Sequence, residues 1–130
     1  MTHRYRRPRQ DSGALTLSYV IIVPVFLLFL MVIIQVALWF LARSAALAAA
    51  RQGVDAARVQ PVSMAAGVQA ARSFARTSGA GYLLSPRAYP YRTATTIVIT
   101  VTGSVPSLVP WLPINVTQVA QAPVERFTTP

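Results

Sequence analysis

Between Asp11 and Arg43 the chain carries no Asp, Glu, Lys, Arg or His, and Leu17 to Leu41 is almost wholly Val, Ile, Leu, Phe and Met. A helix rises about 1.5 Å per residue, so this run alone reaches roughly 35 Å, enough to cross a hydrocarbon core of about 30 Å. A helix apolar on every side cannot be swallowed by the small core of a 130-residue chain. The pattern therefore predicts a transmembrane helix over 14–42. Its length favours a retained anchor over a cleaved secretory signal, whose apolar region usually runs about 7–15 residues. Pro24 removes one helical hydrogen bond inside the run, and lipid penalises the freed carbonyl. Gln35 is the one amide deep in the run, either tolerated there or bonded to a partner helix.

Polar residues then return. Ala42 to Val59 is Ala-rich and predicts a continuation of the helix out of the membrane. Arg51, Asp55 and Arg58 are spaced four and three apart and share one of its faces, which reads first as a solvated charged face. Pro61 interrupts, and its preference for a first helical turn predicts a second helix over Val62 to Thr77. The apolar positions of that helix are Val62, Ala65, Ala66, Val68, Ala70 and Phe74, and Ser78-Gly79-Ala80-Gly81 ends it. Tyr82 to Thr93, with Pro86 and Pro90, reads as a loop.

The period then changes to two. Ile97, Ile99 and Val101 alternate with Thr96, Val98, Thr100 and Thr102, predicting a strand over Thr95 to Thr102 that Gly103 ends. Val105 to Pro113 carries three prolines and reads as a crossover. Ile114 to Ala120 alternates again, and Val124 to Phe127 is a candidate final strand. The expected fold class is α+β: a long N-terminal transmembrane helix extends into an Ala-rich helix, followed by a small antiparallel sheet of two to three strands. The domains expected are a basic tail (1–13), the span (14–42) and an extracytoplasmic module (43–130).

Charge orients this arrangement. Arg4, Arg6, Arg7 and Arg9 cluster just before the span, whereas Arg43, Arg51 and Arg58 are spread along the chain after it. The positive-inside rule then puts the N-terminus in the cytoplasm and the module outside the cytoplasmic membrane, as a single-pass protein. Arg43 is expected to snorkel at the outer interface beside Trp39.

Composition narrows the chemistry. There is no Cys, hence no disulfide, thiolate metal site or thiol nucleophile; His3 is the single His. Asp11, Asp55 and Glu125 are the only carboxylate side chains, too scattered to favour a paired-carboxylate site. The net charge of +9 and pI of about 11.5 invite a nucleic-acid reading. Four of the Arg serve topology, and no aromatic stacking platform accompanies the rest. The sequence thus predicts no enzyme, no cofactor, no metal and no nucleic-acid partner.

Two short segments carry more specific information. The junction of tail and span reads Gly13-Ala14-Leu15-Thr16-Leu17-Ser18-Tyr19, with Pro24 beyond. After the span comes Ala48-Ala49-Ala50-Arg51-Gln52-Gly53. The first resembles the processing site of type IV filament proteins, in the G-x-x-x-x-E-Y form of Flp-type pilins and TadE-like proteins. The second is similar to the Ala-Ala-Arg-x-Gly segment of TadE-like proteins. The strand, Pro-rich crossover and strand ending in Pro123-Val124-Glu125-Arg126-Phe127 is similar to their C-terminal region.

The resemblance implies cleavage between Gly13 and Ala14 by a prepilin peptidase, with Ser18, Tyr19 and Pro24 as assembly-motif positions. One position departs: the family's acidic residue falls at Ser18, whose hydroxyl supplies no charge. The function implied is a non-catalytic minor pilin or assembly protein of a Tad/Flp-type pilus or related secretion apparatus. Its partners would be the membrane, other pilin-like or Tad assembly proteins and the prepilin peptidase. A membrane-anchored extracytoplasmic binding module unrelated to pili is the alternative.

Overall fold

The computed structural model describes residues 12–59, 61–109 and 111–124. In order along the chain these form helix α1 (Ser12–Arg58), helix α2 (Met64–Ser78) and strands β1 (Leu84–Arg92), β2 (Thr96–Val105) and β3 (Ile114–Pro123). This is the expected α+β class, with three antiparallel strands in the order β1-β2-β3. The chain divides into two compact units, one up to Ile33 and the other from Ile34 onward.

The first unit is the N-terminal part of α1. Its large apolar side chains face outward: Val20, Ile21, Phe26, Leu28 and Phe29 are all more than half exposed, and Pro24 lies inside the helix. Among the described residues α1 is the one helix long and apolar enough to cross a membrane.

The second unit has its core between helices and sheet. Ala42, Ala45, Ala46, Ala49, Ala50, Val54 and Ala57 are buried on α1. Their spacing of three and four puts them on one stripe. Small side chains there let other elements approach the helix closely. Against this stripe the sheet supplies Ile99 and Val101 of β2, joined by Ala88 and Val116 from the flanking strands, and Ile97 of β2 is fully buried as well. Register explains the grouping, because Ala88 pairs with Val101, Ala120 with Ile99, and Val116 with Gly103. Large on the sheet and small on the helix is one jigsaw solution to a thin core.

Five sequence expectations need correction. The stretch 82–93 is not a loop throughout, since Leu84–Arg92 forms β1. Pro86 and Pro90 are tolerated because β1 is an edge strand. A register shift between Leu84 and Arg87, with Ser85 at φ 48°, absorbs Pro86 as a bulge. Gly103 does not end β2, which runs on to Val105; Gly103 pairs with Val116 inside the ladder.

Helix α2 begins later than Pro61 suggested. Ser63 caps it, its hydroxyl accepting from the Ala66 amide at 3.2 Å. The buried face of α2 is Gly67, Ala71 and Ala75, whereas Ala65 and Ala66 are exposed. The closest approach selected the smallest residues, not the most apolar ones. The expected strand at Val124 to Phe127 is not seen at Val124, which follows β3 and donates to Thr95 O at 2.8 Å; its remaining residues lie outside the described ones.

Candidate functional site

The candidate functional positions of this chain lie on the surfaces that its elements present. In the N-terminal unit, Gly13 and Ala14 fall in the first turn of α1, and Ser18, Tyr19 and Pro24 follow on the same helix. Ser18 and Pro24 are exposed, and Tyr19 is 65% exposed. The surface that these residues share with Val20 to Leu30 is apolar and laterally open. Such a surface is satisfied by lipid or by a second apolar helix. The basic tail lies outside the described residues.

Further along α1 the picture changes from exposure to locking. Gln35 uses both ends of its amide: Nε2 donates to Pro106 O at 3.1 Å, and Oε1 accepts from Leu108 N at 2.9 Å. The chain between β2 and β3 is thereby pinned to the helix. Leu38 and Trp39, one turn on, pack on the core. Arg43 then lies over Trp39, its Cζ 5.4 Å from the ring centroid, and Phe40 meets Trp39 edge to face. Gln35 is thus neither merely tolerated nor bonded to a second helix, since its partners are in the loop between β2 and β3; Arg43 lies beside Trp39 as the sequence suggested.

The next feature is the crossing of α1 and α2 at Gly53 and Gly67. A Cβ on Gly53 would come within 2.8 Å of both the Ala71 Cβ and the Gly67 carbonyl oxygen. Backbones meet there with no side chain between them. Arg51 and Gln52 are exposed on α1, Gln52 beside Ala70 and Phe74 of α2, and Asp55 pairs with Arg58 at 3.2 Å in the open. So exposed an ion pair contributes little to stability.

The second unit also presents the outer face of its sheet and a groove beside α2. The solvent side of the sheet carries Arg87, Tyr89 and Tyr91 on β1, opposite Thr102, Thr100 and Val98 of β2. An open groove of 660 Å³ between α2 and β1 is lined by Met64, Val68, Arg72, Arg76, Ala88 and Pro90. Neither brings a carboxylate or imidazole to a nucleophile; Asp55 is the one Asp or Glu among the described residues.

The combination is therefore an apolar helix open to its surroundings, continuous in sequence with a helix locked into a small head by Ala and Gly. The TadE-like protein family matches this chain over residues 13–55. Over this stretch the chain is similar to TadE-like proteins. The matched stretch begins at Gly13 and ends two residues beyond Gly53, so it takes in the two short segments that carried the resemblance but not the C-terminal region ending in Pro123 to Phe127 that was also likened to TadE-like proteins. About a third of the chain is covered; α2 and the sheet lie beyond the TadE-like segment. No curated protein and no solved structure matches the chain.

Sequence reasoning quoted Gly53 within the TadE-like motif but not Gly67, its partner in the crossing. Nothing flanking Gly67 distinguishes it from a tolerated helical glycine. For Gln35 there was a signal, a lone amide in an apolar run, but the sequence offered no way to find Pro106 and Leu108, some seventy residues away.

Proposed function

We propose that this chain is a non-catalytic, membrane-anchored minor pilin or assembly protein of a Tad/Flp-type pilus or a related secretion apparatus. The observation that carries the reading is the TadE-like match lying on α1, whose first half exposes an unbroken apolar surface. A helix of that kind serves two states. In the bilayer it is solvated by lipid, and in an assembly the same surface packs against neighbouring helices.

The head is the part that confers specific contacts, and it uses packing and hydrogen bonds rather than chemistry on a substrate. The N-terminus is cytoplasmic and the α+β module extracytoplasmic, in keeping with the Arg4 to Arg9 cluster before the span. Partners are other pilin-like or Tad assembly proteins, and a prepilin peptidase if Gly13 is processed.

The test is genetic and structural together. Cells lacking this chain but retaining the rest of a Tad system should lose or greatly reduce surface pili in electron micrographs, and plasmid-borne chain should restore them. Full piliation without the chain would favour the anchored binding module unrelated to pili.

A further inference from the structure

The segment between β2 and β3 is built only of Pro, Ser, Leu, Val and Trp, with no charged residue from Pro106 to Pro113. It displays large apolar side chains outward. Trp111 is 81% exposed, Leu112 50% and Leu108 38%. Its backbone is nevertheless held. Ser107 Oγ donates to Val109 O at 2.6 Å and accepts from Val109 N at 3.1 Å, and Leu112 N donates to Val109 O at 3.1 Å. A held loop that presents a tryptophan outward is a surface awaiting a cover.

What covers it follows from where it is tied. Gln35 belongs to the apolar run Leu17–Leu41, and both of its amide bonds go to this loop. The loop is therefore level with the C-terminal part of the run. About twenty residues suffice to cross the hydrocarbon, and twenty counted from Leu17 end at Val36. Gln35 thus falls in the head-side end of the run, one turn before the Trp39–Arg43 pair expected at the interface.

The helix at this level agrees. Val36, Phe40 and Leu41 are exposed at 52%, 61% and 49%, continuing the apolar surface of the run, while Trp39 beneath Arg43 has the setting of an interfacial aromatic. Both tryptophans of the chain, Trp39 and Trp111, lie on the elements that Gln35 joins.

We propose that the β2–β3 loop is a second membrane contact: Leu108, Trp111 and Leu112 rest in the headgroup layer on the head's side of the bilayer, at a depth fixed by Gln35. This rests on α1 being inserted in the membrane. The bilayer is the occupant because the loop is uncharged, apolar and level with helix residues that themselves require lipid. The loop thereby gives the head a contact with the bilayer of its own, in addition to the span.

The test uses the full chain reconstituted into vesicles of phosphatidylethanolamine and phosphatidylglycerol. In a Trp39→Phe variant the remaining indole is Trp111. Its emission should be blue-shifted, strongly quenched by lipids brominated on the acyl carbons nearest the headgroup, and protected from aqueous iodide. In the reciprocal Trp111→Phe variant, Trp39 reports on α1. Bromolipid quenching of Trp39 but not Trp111 overturns the loop contact while leaving the inserted helix intact. Quenching of neither overturns both. Trp111 shielded from iodide yet untouched by bromolipid means a protein neighbour covers the loop, and also overturns the proposal. Because the chain has no Cys, Leu112→Cys carrying a polarity-sensitive dye repeats the measurement with both tryptophans retained. A water-like dye spectrum there would count against the loop contact.

Discussion

Gly53 of α1 and Gly67 of α2 meet backbone to backbone: a Cβ on Gly67 would lie 2.7 Å from the Gly53 carbonyl oxygen, and a Cβ on Gly53 2.8 Å from that of Gly67. Both glycines are helical, so neither is there for an unusual backbone angle. Each costs its helix about 1 kcal/mol relative to alanine. The closeness of the two helices offsets that cost, and it lets Ile99 reach the crossing from the sheet; its Cγ2 would be 3.2 Å from a Cβ on Gly53.

The first prediction is therefore that alanine at either glycine destabilises the head in spite of alanine's better helix propensity. The obstacle is a carbonyl oxygen and buried Cβ atoms, not the end of a flexible side chain. Overpacking of this kind costs about 1–3 kcal/mol, and the propensity gain recovers only part of it. Gly67→Ala and Gly53→Ala should each lower the Tm of detergent-solubilised protein, and Gly53→Leu should lower it further. Ala65→Ser, at an exposed position of α2, should change stability by no more than about 0.5 kcal/mol. An unchanged or raised Tm for both alanine variants would show that the helices separate at little cost.

Gln35 gives the second. Replacement by Leu removes the acceptor for Leu108 N and the donor to Pro106 O, bonds of 2.9 and 3.1 Å. Leaving such groups without partners costs about 1–3 kcal/mol. Because the loss is local, hydrogen exchange at the Leu108 amide should accelerate while amides at Ile99 and Val101 in the sheet keep their protection. Uniform acceleration across the sheet would mean that the amide supports the whole head.

How much of this was legible beforehand depends on the range of the interaction involved. The run Leu17–Leu41, the alternation of Ile97, Ile99 and Val101, and the Ser78 to Gly81 stop are local patterns, and each predicted its element. Strand β1 was hidden because Pro86 and Pro90 argue against a strand; only its edge position and a bulge at Ser85 make them acceptable. The buried face of α2 was misread for a related reason. Val62 precedes the helix and Phe74 packs on the core only half-buried, whereas the fully buried positions, at the crossing, are Gly67, Ala71 and Ala75. The partners of Gln35 and Gly53 are tertiary, and no local rule points to them.

Topology is the third prediction. Arg87 is exposed on β1, so Arg87→Cys places a lone thiol on the head without disturbing its core. It should react with an impermeant thiol reagent in intact cells that give envelope access. Labelling only after the membrane is opened would reverse the proposed orientation. Replacing Arg4, Arg6, Arg7 and Arg9 together should weaken the orientation preference.

The fourth concerns processing at Gly13. The Gly13–Ala14 bond lies in the first turn of α1, where a helix lacks its full set of backbone bonds and opens most easily. Glycine lowers the cost of the extended backbone that a protease cleft requires. With a cognate prepilin peptidase present, mass mapping of the mature N-terminus should find Ala14 first. An intact Met1 or Thr2 terminus beside an active peptidase would reject cleavage.

Ser18 gives the last prediction. The resemblance to Flp-type pilins sets an acidic residue at this position, where its carboxylate would meet the new amino terminus of a neighbouring subunit. Opposite charges a few ångströms apart attract strongly in a low-dielectric setting. A serine hydroxyl provides a hydrogen bond worth about 1 kcal/mol instead. The chain is therefore expected to enter filaments only alongside subunits that carry the carboxylate, as a minor or non-polymerising component. Cells supplied with the full assembly machinery, and with this chain as their only pilin-like protein, should show no pili in electron micrographs even when Gly13 is processed. Ser18→Glu should then increase recovery of the chain in sheared pilus fractions from cells that also make a major pilin. Abundant filaments from the unaltered chain alone would show that the missing charge does not limit assembly, and a major-pilin role would become the better reading.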